Sequence, residues 1–217
     1  MRVLYLHGFA SSAQSSKATF LARQLAARGI TLETPDLNAP DFGTITVTRM
    51  VEQVLAVVGT GDPAMLVGSS LGAFVAIQAA LQRPAAVSQL VLLAPALDFG
   101  GTTRDFGAER LARWKASDAL EVFHYGYGRM IPVHYELYAD AGRYDALQAD
   151  LPIPTLVFQG RRDVVVDPGG VERWAAARPG VELHMLDDDH QLLQSLDAIW
   201  SGIARRLFPG GAYQQMP

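Results

Sequence analysis

The stretch Ala64–Gln78, Ala-Met-Leu-Val-Gly-Ser-Ser-Leu-Gly-Ala-Phe-Val-Ala-Ile-Gln, constrains the fold more than any other part of the chain. Met65–Val67 is a short apolar run, the pattern of a strand buried on both faces of a parallel sheet. Leu71–Leu81 follows with small and apolar residues at helical spacing. Between them lies Gly68-Ser69-Ser70-Leu71-Gly72, a G-x-S-x-G. A strand that turns sharply into a helix strains its central residue, and only residues without a side chain fit two positions to either side. Ser70 is that central residue, so its hydroxyl is lifted clear of the sheet. The helix N-terminus faces it with free N–H groups that can bind a developing oxyanion. The pattern is weak alone. Its place at a strand-to-helix junction, rather than in a polar loop, gives it weight. The bland alternative is a glycine-rich turn that packs a helix onto a sheet.

The rest of the chain repeats the strand-then-helix theme. Arg2–Leu6 reads as a buried strand ending at His7-Gly8-Phe9, and the serines of the following loop can cap a helix from about Lys17 to Arg28. Ile30–Leu37 reads as the next strand and Thr46–Val58 as an amphipathic helix. Beyond the Ser70 helix come a strand at Gln89–Pro95, another at Pro154–Gly160, a helix over Asp167–Arg178, a strand at Val181–Leu186 and a closing helix over Leu192–Phe208. Pro209–Pro217 reads as a loose tail. Six such strands predict one domain with a mainly parallel, doubly wound α/β sheet and helices on both faces.

The alternation stops across Asp98–Asp150, which is too long for a structureless loop. Nine of the chain's nineteen aromatics lie there, so the segment is expected to fold as a small helical cap, inserted into the domain at about 98–150. Rings facing inward would line an apolar acyl pocket. The competing expectation is a second packed layer with no ligand role. Arg104, Arg110, Arg113 and Lys115 could meet a phosphate, but Asp105 and Glu109 among them suggest a solvated helix face.

Composition removes several function classes. The chain has no cysteine, which excludes disulfides, thiolate metal sites and cysteine nucleophiles. A net charge of −4, with no basic run, argues against a nucleic-acid surface. Residues 2–6 already read as core strand, leaving no room for a signal peptide, and no apolar stretch reaches the length of a membrane span. A cytoplasmic protein with no membrane insertion and a small-molecule substrate is expected.

A serine hydroxyl needs a neighbouring base to take its proton, and a histidine base needs a carboxylate to orient it. In open α/β sheets, loops at the carboxyl ends of the strands converge on the site. After the Pro154–Gly160 strand comes Asp163, and after the Val181–Leu186 strand comes Asp187-Asp-Asp-His190. The order Ser70, Asp163, His190 is the one this chemistry expects of such a sheet. Asp98 rivals Asp163 as the acid, whereas Asp167 suits a cap for the helix opening at Pro168. His184 falls within a strand, and His124 and His134 fall in the inserted segment. The oxyanion would meet the backbone N–H groups of Leu71 and Phe9, with His7 bracing the Phe9 loop.

At these residues the sequence resembles the α/β-hydrolase superfamily. More narrowly, Tyr5-Leu-His-Gly-Phe-Ala-Ser-Ser-Ala-Gln-Ser-Ser-Lys-Ala18 together with Val67-Gly-Ser-Ser-Leu-Gly72 looks like the small bacterial YqiA/YcfP-type esterases. The resemblance implies a compact α/β-hydrolase that cleaves carboxylic esters or thioesters, with acyl-CoA one candidate, and that uses no metal or organic cofactor. It carries the nucleophile onto Ser70, the acid onto Asp163 and the base onto His190. Larger relatives have antiparallel lead-in strands that this sequence lacks, since it opens on the His-Gly strand. Two other functions stay open on the residues: the same triad acting on a carbon–carbon or amide bond, and a non-catalytic ligand receptor or interaction protein that keeps the fold.

Overall fold

The computed structural model of the chain describes residues 1–59, 61–100 and 107–209. Six parallel strands form one sheet: β1 (Arg2–Leu6), β2 (Leu32–Glu33), β3 (Ala64–Ser69), β4 (Val87–Leu93), β7 (Thr155–Gly160) and β8 (Val181–Leu186), in the order β2-β1-β3-β4-β7-β8. Two further strands, β5 (Leu120–His124) and β6 (Arg129–Val133), pair antiparallel in a separate hairpin between β4 and β7. The strand order reverses direction beside β1, so the loops after β1 and β3 diverge to opposite sides and leave a crevice at the carboxyl ends.

Alternation along the central strands divides the core into two layers. Val3, Tyr5, Met65 and Val67 face α1 (Ser16–Ala26) and α7 (Leu196–Leu207), where Leu21, Leu25, Ile199, Trp200 and Ile203 cover them. Leu4, Leu6, Leu66 and Leu92 face the other side, under α2 (Val47–Val58), α3 (Leu71–Gln82) and α6 (Pro168–Ala176). The Ser70 helix, α3, is buried almost all round: Ala73 through Ile77 are wholly shielded from solvent. A helix apolar on every side belongs in the interior.

The expected strand at Ile30–Leu37 is reduced to two residues. It is an edge strand paired only with β1, its residues are half-exposed, and Pro35 interrupts the run. The segment between β4 and β7 also differs from an all-helical reading. It contains α4 (Ala108–Ser117) and α5 (Glu136–Ala141), but the β5–β6 hairpin stands between them. Arg104, Asp105 and Phe106 lie outside the described residues, as does the tail after Pro209.

Polar contacts pin this segment to the sheet-bearing part. Asp140, buried at the end of α5, accepts from the Thr48 backbone N–H and hydroxyl at 2.7 Å each, and Tyr144 meets the same hydroxyl at 2.7 Å. Trp114 donates its indole N–H to the Val133 carbonyl at 2.8 Å and packs edge-on against Tyr135. Phe99 packs edge-on against Phe74 of α3. These rings make a second packed layer.

Candidate active site

Ser70 sits between β3 and α3 with φ 53° and ψ −115°, left-handed geometry that a non-glycine residue adopts only under constraint. Three glycines allow it. A Cβ on Gly68 would come within 2.5 Å of Ala73, and one on Gly72 would overlap the Leu6 carbonyl. One on Gly8 would press on Ser70 Cβ at 3.3 Å. The turn is anchored by the Ser70 N–H on the Leu93 carbonyl at 2.9 Å and by the Ala96 N–H on the Ser70 carbonyl at 3.3 Å. Left-handed residues recur at the neighbouring strand ends, at Ala10, Ala94 and Leu192. Such outliers cluster where function over-determines the backbone.

The loop after β1 is braced from three directions. His7 is buried; its Nδ1 faces the Gly8 carbonyl at 3.0 Å while its Nε2 accepts the Leu37 N–H at 3.0 Å. That pairing fixes the neutral Nδ1–H tautomer, and burial pushes the imidazole pKa down, so His7 props the loop uncharged. Asn38 donates to the Ser11 carbonyl at 2.9 Å, and the Tyr125 N–H of the hairpin donates to the Ala10 carbonyl at 2.9 Å. Among the described residues, neither the Phe9 nor the Leu71 amide donates to another group.

His190 follows β8, and its Nδ1 lies 2.8 Å from Asp163 Oδ2. Gly160 makes room for this loop, since a Cβ there would meet the Asp189 carbonyl at 2.5 Å. The Asp163 side chain is fully buried and held on both oxygens. Oδ2 also accepts from Gln159 Nε2 at 2.9 Å, and Oδ1 accepts the Val165 and Val166 N–H groups at 2.8 Å each. Burial pushes the carboxyl pKa up, but the bonds from His190, the Val166 amide and Gln159 outweigh it and hold it below the usual carboxylate range. His190 Nε2 makes no hydrogen bond among the described residues.

The rivals are placed elsewhere. Asp98 lines a neighbouring cavity with Trp174 and Arg178. Asp167 occupies the N-cap position of α6 without a side-chain cap bond and pairs with Arg173 at 3.5 Å. His184 stacks on Phe158 and meets Glu182 at 2.6 Å. His124 is buried, stacked on Tyr127 and edge-on to Phe42, and His134 pairs with Asp118 at 3.0 Å.

Ser70 and His190 open into one cavity of about 630 Å³, shared with Gly8, Phe9, Tyr125 and a run of serines, Ser11, Ser12, Ser15 and Ser16. Tyr125 is the one aromatic of the 98–150 segment among the described lining residues. The expected aromatic-lined acyl pocket is therefore corrected: Trp114, Tyr135 and Tyr138 pack against one another instead.

A family model matches residues 2–204. The chain belongs to the uncharacterised protein family UPF0227. This is the YqiA/YcfP-type family that its N-terminal segment and Ser70 turn resemble. No curated protein matches it. Among solved structures, the UPF0227 chain superposes on Est1E from Butyrivibrio proteoclasticus with ferulic acid bound, with a TM-score of 0.81, 16% identity, and 95% of this chain and 88% of that one covered. Mouse alpha/beta hydrolase domain-containing protein 10 gives 0.77 at 20% identity, covering 94% and 88%. A Paleococcus ferrophilus monoacylglycerol lipase gives 0.77 at 16%, covering 94% and 93%. The fold is that of the α/β-hydrolases.

Two polar residues of this UPF0227 chain that border the site are invisible to motif reading. Gln159 lies near the end of a buried strand, four residues before Asp163, and a long polar side chain after the apolar Leu156–Phe158 run was its signal. Lys17 reads as the start of a helix, yet it is buried and faces the Ser70 cavity.

Proposed function

We propose that the chain is a serine hydrolase that cleaves carboxylic esters or acyl thioesters through an acyl-enzyme. The observation that carries this reading is the His190–Asp163 pair at 2.8 Å beside a cavity that also holds Ser70 on its strained turn. Asp163 holds the imidazole with Nδ1 protonated, which leaves Nε2 as the base toward the cavity. Ser70 Oγ attacks the acyl carbonyl as His190 takes its proton. The Phe9 and Leu71 amides receive the oxyanion, two donors without other partners among the described residues. His190 then protonates the leaving oxygen or sulfur, and water repeats the sequence to release the acid.

Residues 98–150 act as a cap within this single domain, because Tyr125 and Gly126 of the hairpin turn form part of the cavity wall. A small-molecule substrate fits a cavity of about 630 Å³. Among the described residues no helix is long and apolar enough to cross a membrane, and a cytoplasmic site of action suits a chain without cysteine. Turnover of p-nitrophenyl butyrate by the wild type, lost in Ser70→Ala, is the test. A wild type inert on short esters and thioesters alike would overturn it in favour of a non-catalytic receptor.

A further inference from the structure

We propose that Lys17 is a specificity-determining residue of the Ser70 cavity, and that the preferred substrates carry an anion, a carboxylate or phosphate, on the leaving group. The inference rests on the ester-hydrolase reading above and adds the substrate class to it.

Lys17 lies in the first turn of α1 and is 8% exposed. Its Nζ donates to the Gln191 carbonyl at 2.7 Å. An ammonium has three N–H donors, and among the described residues no carboxylate forms a salt bridge with this one. The nearest acids are committed elsewhere. Asp188 accepts from the Asp189 and Gln194 amides and from the Ser195 hydroxyl, and Asp189 accepts the Gln191 amide. Burial pushes the Lys17 pKa down to about 8, and Asp189 and Asp188 offset only part of that. A buried ammonium in this condition is completed by an anion.

The surroundings say where the anion comes from. Lys17 opens onto the cavity of Ser70 and His190, whose wall is hydroxyl-rich: Ser11, Ser12, Ser15, Ser16 and Tyr5 all line it. Hydroxyls welcome a carboxylate and are poor company for an alkyl chain. The carbonyl that holds Lys17 belongs to Gln191, the residue after His190, and His190 is the group that hands a proton to the leaving group. Lys17 is thus on the leaving-group side. The acyl side has room of its own: Val165 is shared with a second cavity, where Pro95, Leu97, Val171 and Trp174 stand beside Asp98, Asp167 and Arg178.

The test uses matched esters, 3-(butyryloxy)benzoate and its neutral isostere 3-(butyryloxy)benzamide, and reads the ratio of their kcat/KM values. A general loss of activity cancels in that ratio. In Lys17→Gln the carboxylate-to-amide ratio should fall at least fivefold, and Lys17→Arg should restore part of it; a smaller fall overturns the proposal. Should Lys17→Gln not fold, the wild-type ratio between pH 7 and 9.5 decides instead. It should decline as Lys17 loses its proton, with His190, Asp188 and Asp189 from the β8 loop, Tyr5 from β1 and Tyr125 from the hairpin as the other titrating groups nearby. A flat ratio overturns the proposal. A matched pair with the charge on the acyl chain, phenyl hydrogen adipate and its amide, should show no such dependence on Lys17; equal dependence overturns the leaving-group placement. If the wild type hydrolyses none of these esters, the hydrolase reading fails, and calorimetric binding of 3-hydroxybenzoate still judges the anion site. Wild type should bind it at least fivefold more tightly than Lys17→Gln, and equal affinity would sink it.

Discussion

Gln159 and His190 share one oxygen of Asp163, their Nε2 and Nδ1 atoms lying 2.9 and 2.8 Å from Oδ2. The amide therefore limits how the carboxylate can turn beneath the imidazole. A hydrogen bond to a charged group contributes about 1.5–3 kcal/mol. Gln159→Met should therefore lower kcat about tenfold or more and leave KM near its wild-type value, because the residue is buried and does not line the cavity. Steady-state kinetics checks this. A change confined to KM would place Gln159 in binding.

Asp163→Asn should be the most damaging acidic-to-amide change near the site. Loss of the charge and of the correct tautomer cost about 10⁴ in a well-studied serine protease. Asp98→Asn and Asp167→Asn should each stay within about tenfold of wild type, since it is Asp163 that meets His190 Nδ1; kcat/KM on one ester ranks the three.

The same carboxylate has a consequence for acid stability. Its folded pKa is depressed, so its contribution is complete above the ordinary carboxylate value of about 3.9 and is lost as pH falls through the lower folded value. Thermal unfolding of wild type and Asp163→Asn should converge in that acid window. A constant gap down to the lowest pH at which both fold would count against it.

A fluorophosphonate probe should label wild type and Ser69→Ala but not Ser70→Ala. Ser70→Gly should be equally inert yet more stable, because glycine adopts φ 53° without the strain, worth roughly 1 kcal/mol. Labelling read on a gel and Tm by calorimetry test both halves. Full labelling of Ser70→Ala would remove the assigned nucleophile.

Lys17 should be a stability liability at neutral pH. Its pKa drops from 10.5 to about 8 on folding, which corresponds to a cost on the order of 3 kcal/mol when protonated. The unfolded chain holds the extra proton between those values, so this cost is full below about 8 and disappears as pH rises toward 10.5. Lys17→Met should raise Tm at pH 7 and lose that advantage at pH 10. An advantage independent of pH would mean that the gain is one of packing alone.

Much of the sheet was legible because buried parallel strands are continuous apolar runs, as Leu66–Val67 and Leu90–Leu93 illustrate. The β5–β6 hairpin was not. Its strands are short and half-exposed, and Pro132 stands inside β6, a residue that argues against a strand except at an edge. A two-stranded ribbon is all edge, so the proline is tolerated there. Asp163 and His190 could be placed from strand order, since each needs only to follow a particular strand end. Phe9 and Leu71 follow from the same logic. The contacts of Lys17 could not be read, because they join the start of α1 to the loop after β8.

That bond, from Lys17 to Gln191, spans 174 positions of sequence. During synthesis the ribosome delivers Ser70 and the loop that would receive the oxyanion long before it delivers Asp163 and His190. If His190 is the base of the proposed mechanism, the growing polypeptide carries Ser70 without it until β8 and the loop after it have joined the sheet. On the proposed mechanism, catalytic competence would be a late checkpoint of synthesis, and a fragment released before His190 would be chemically silent.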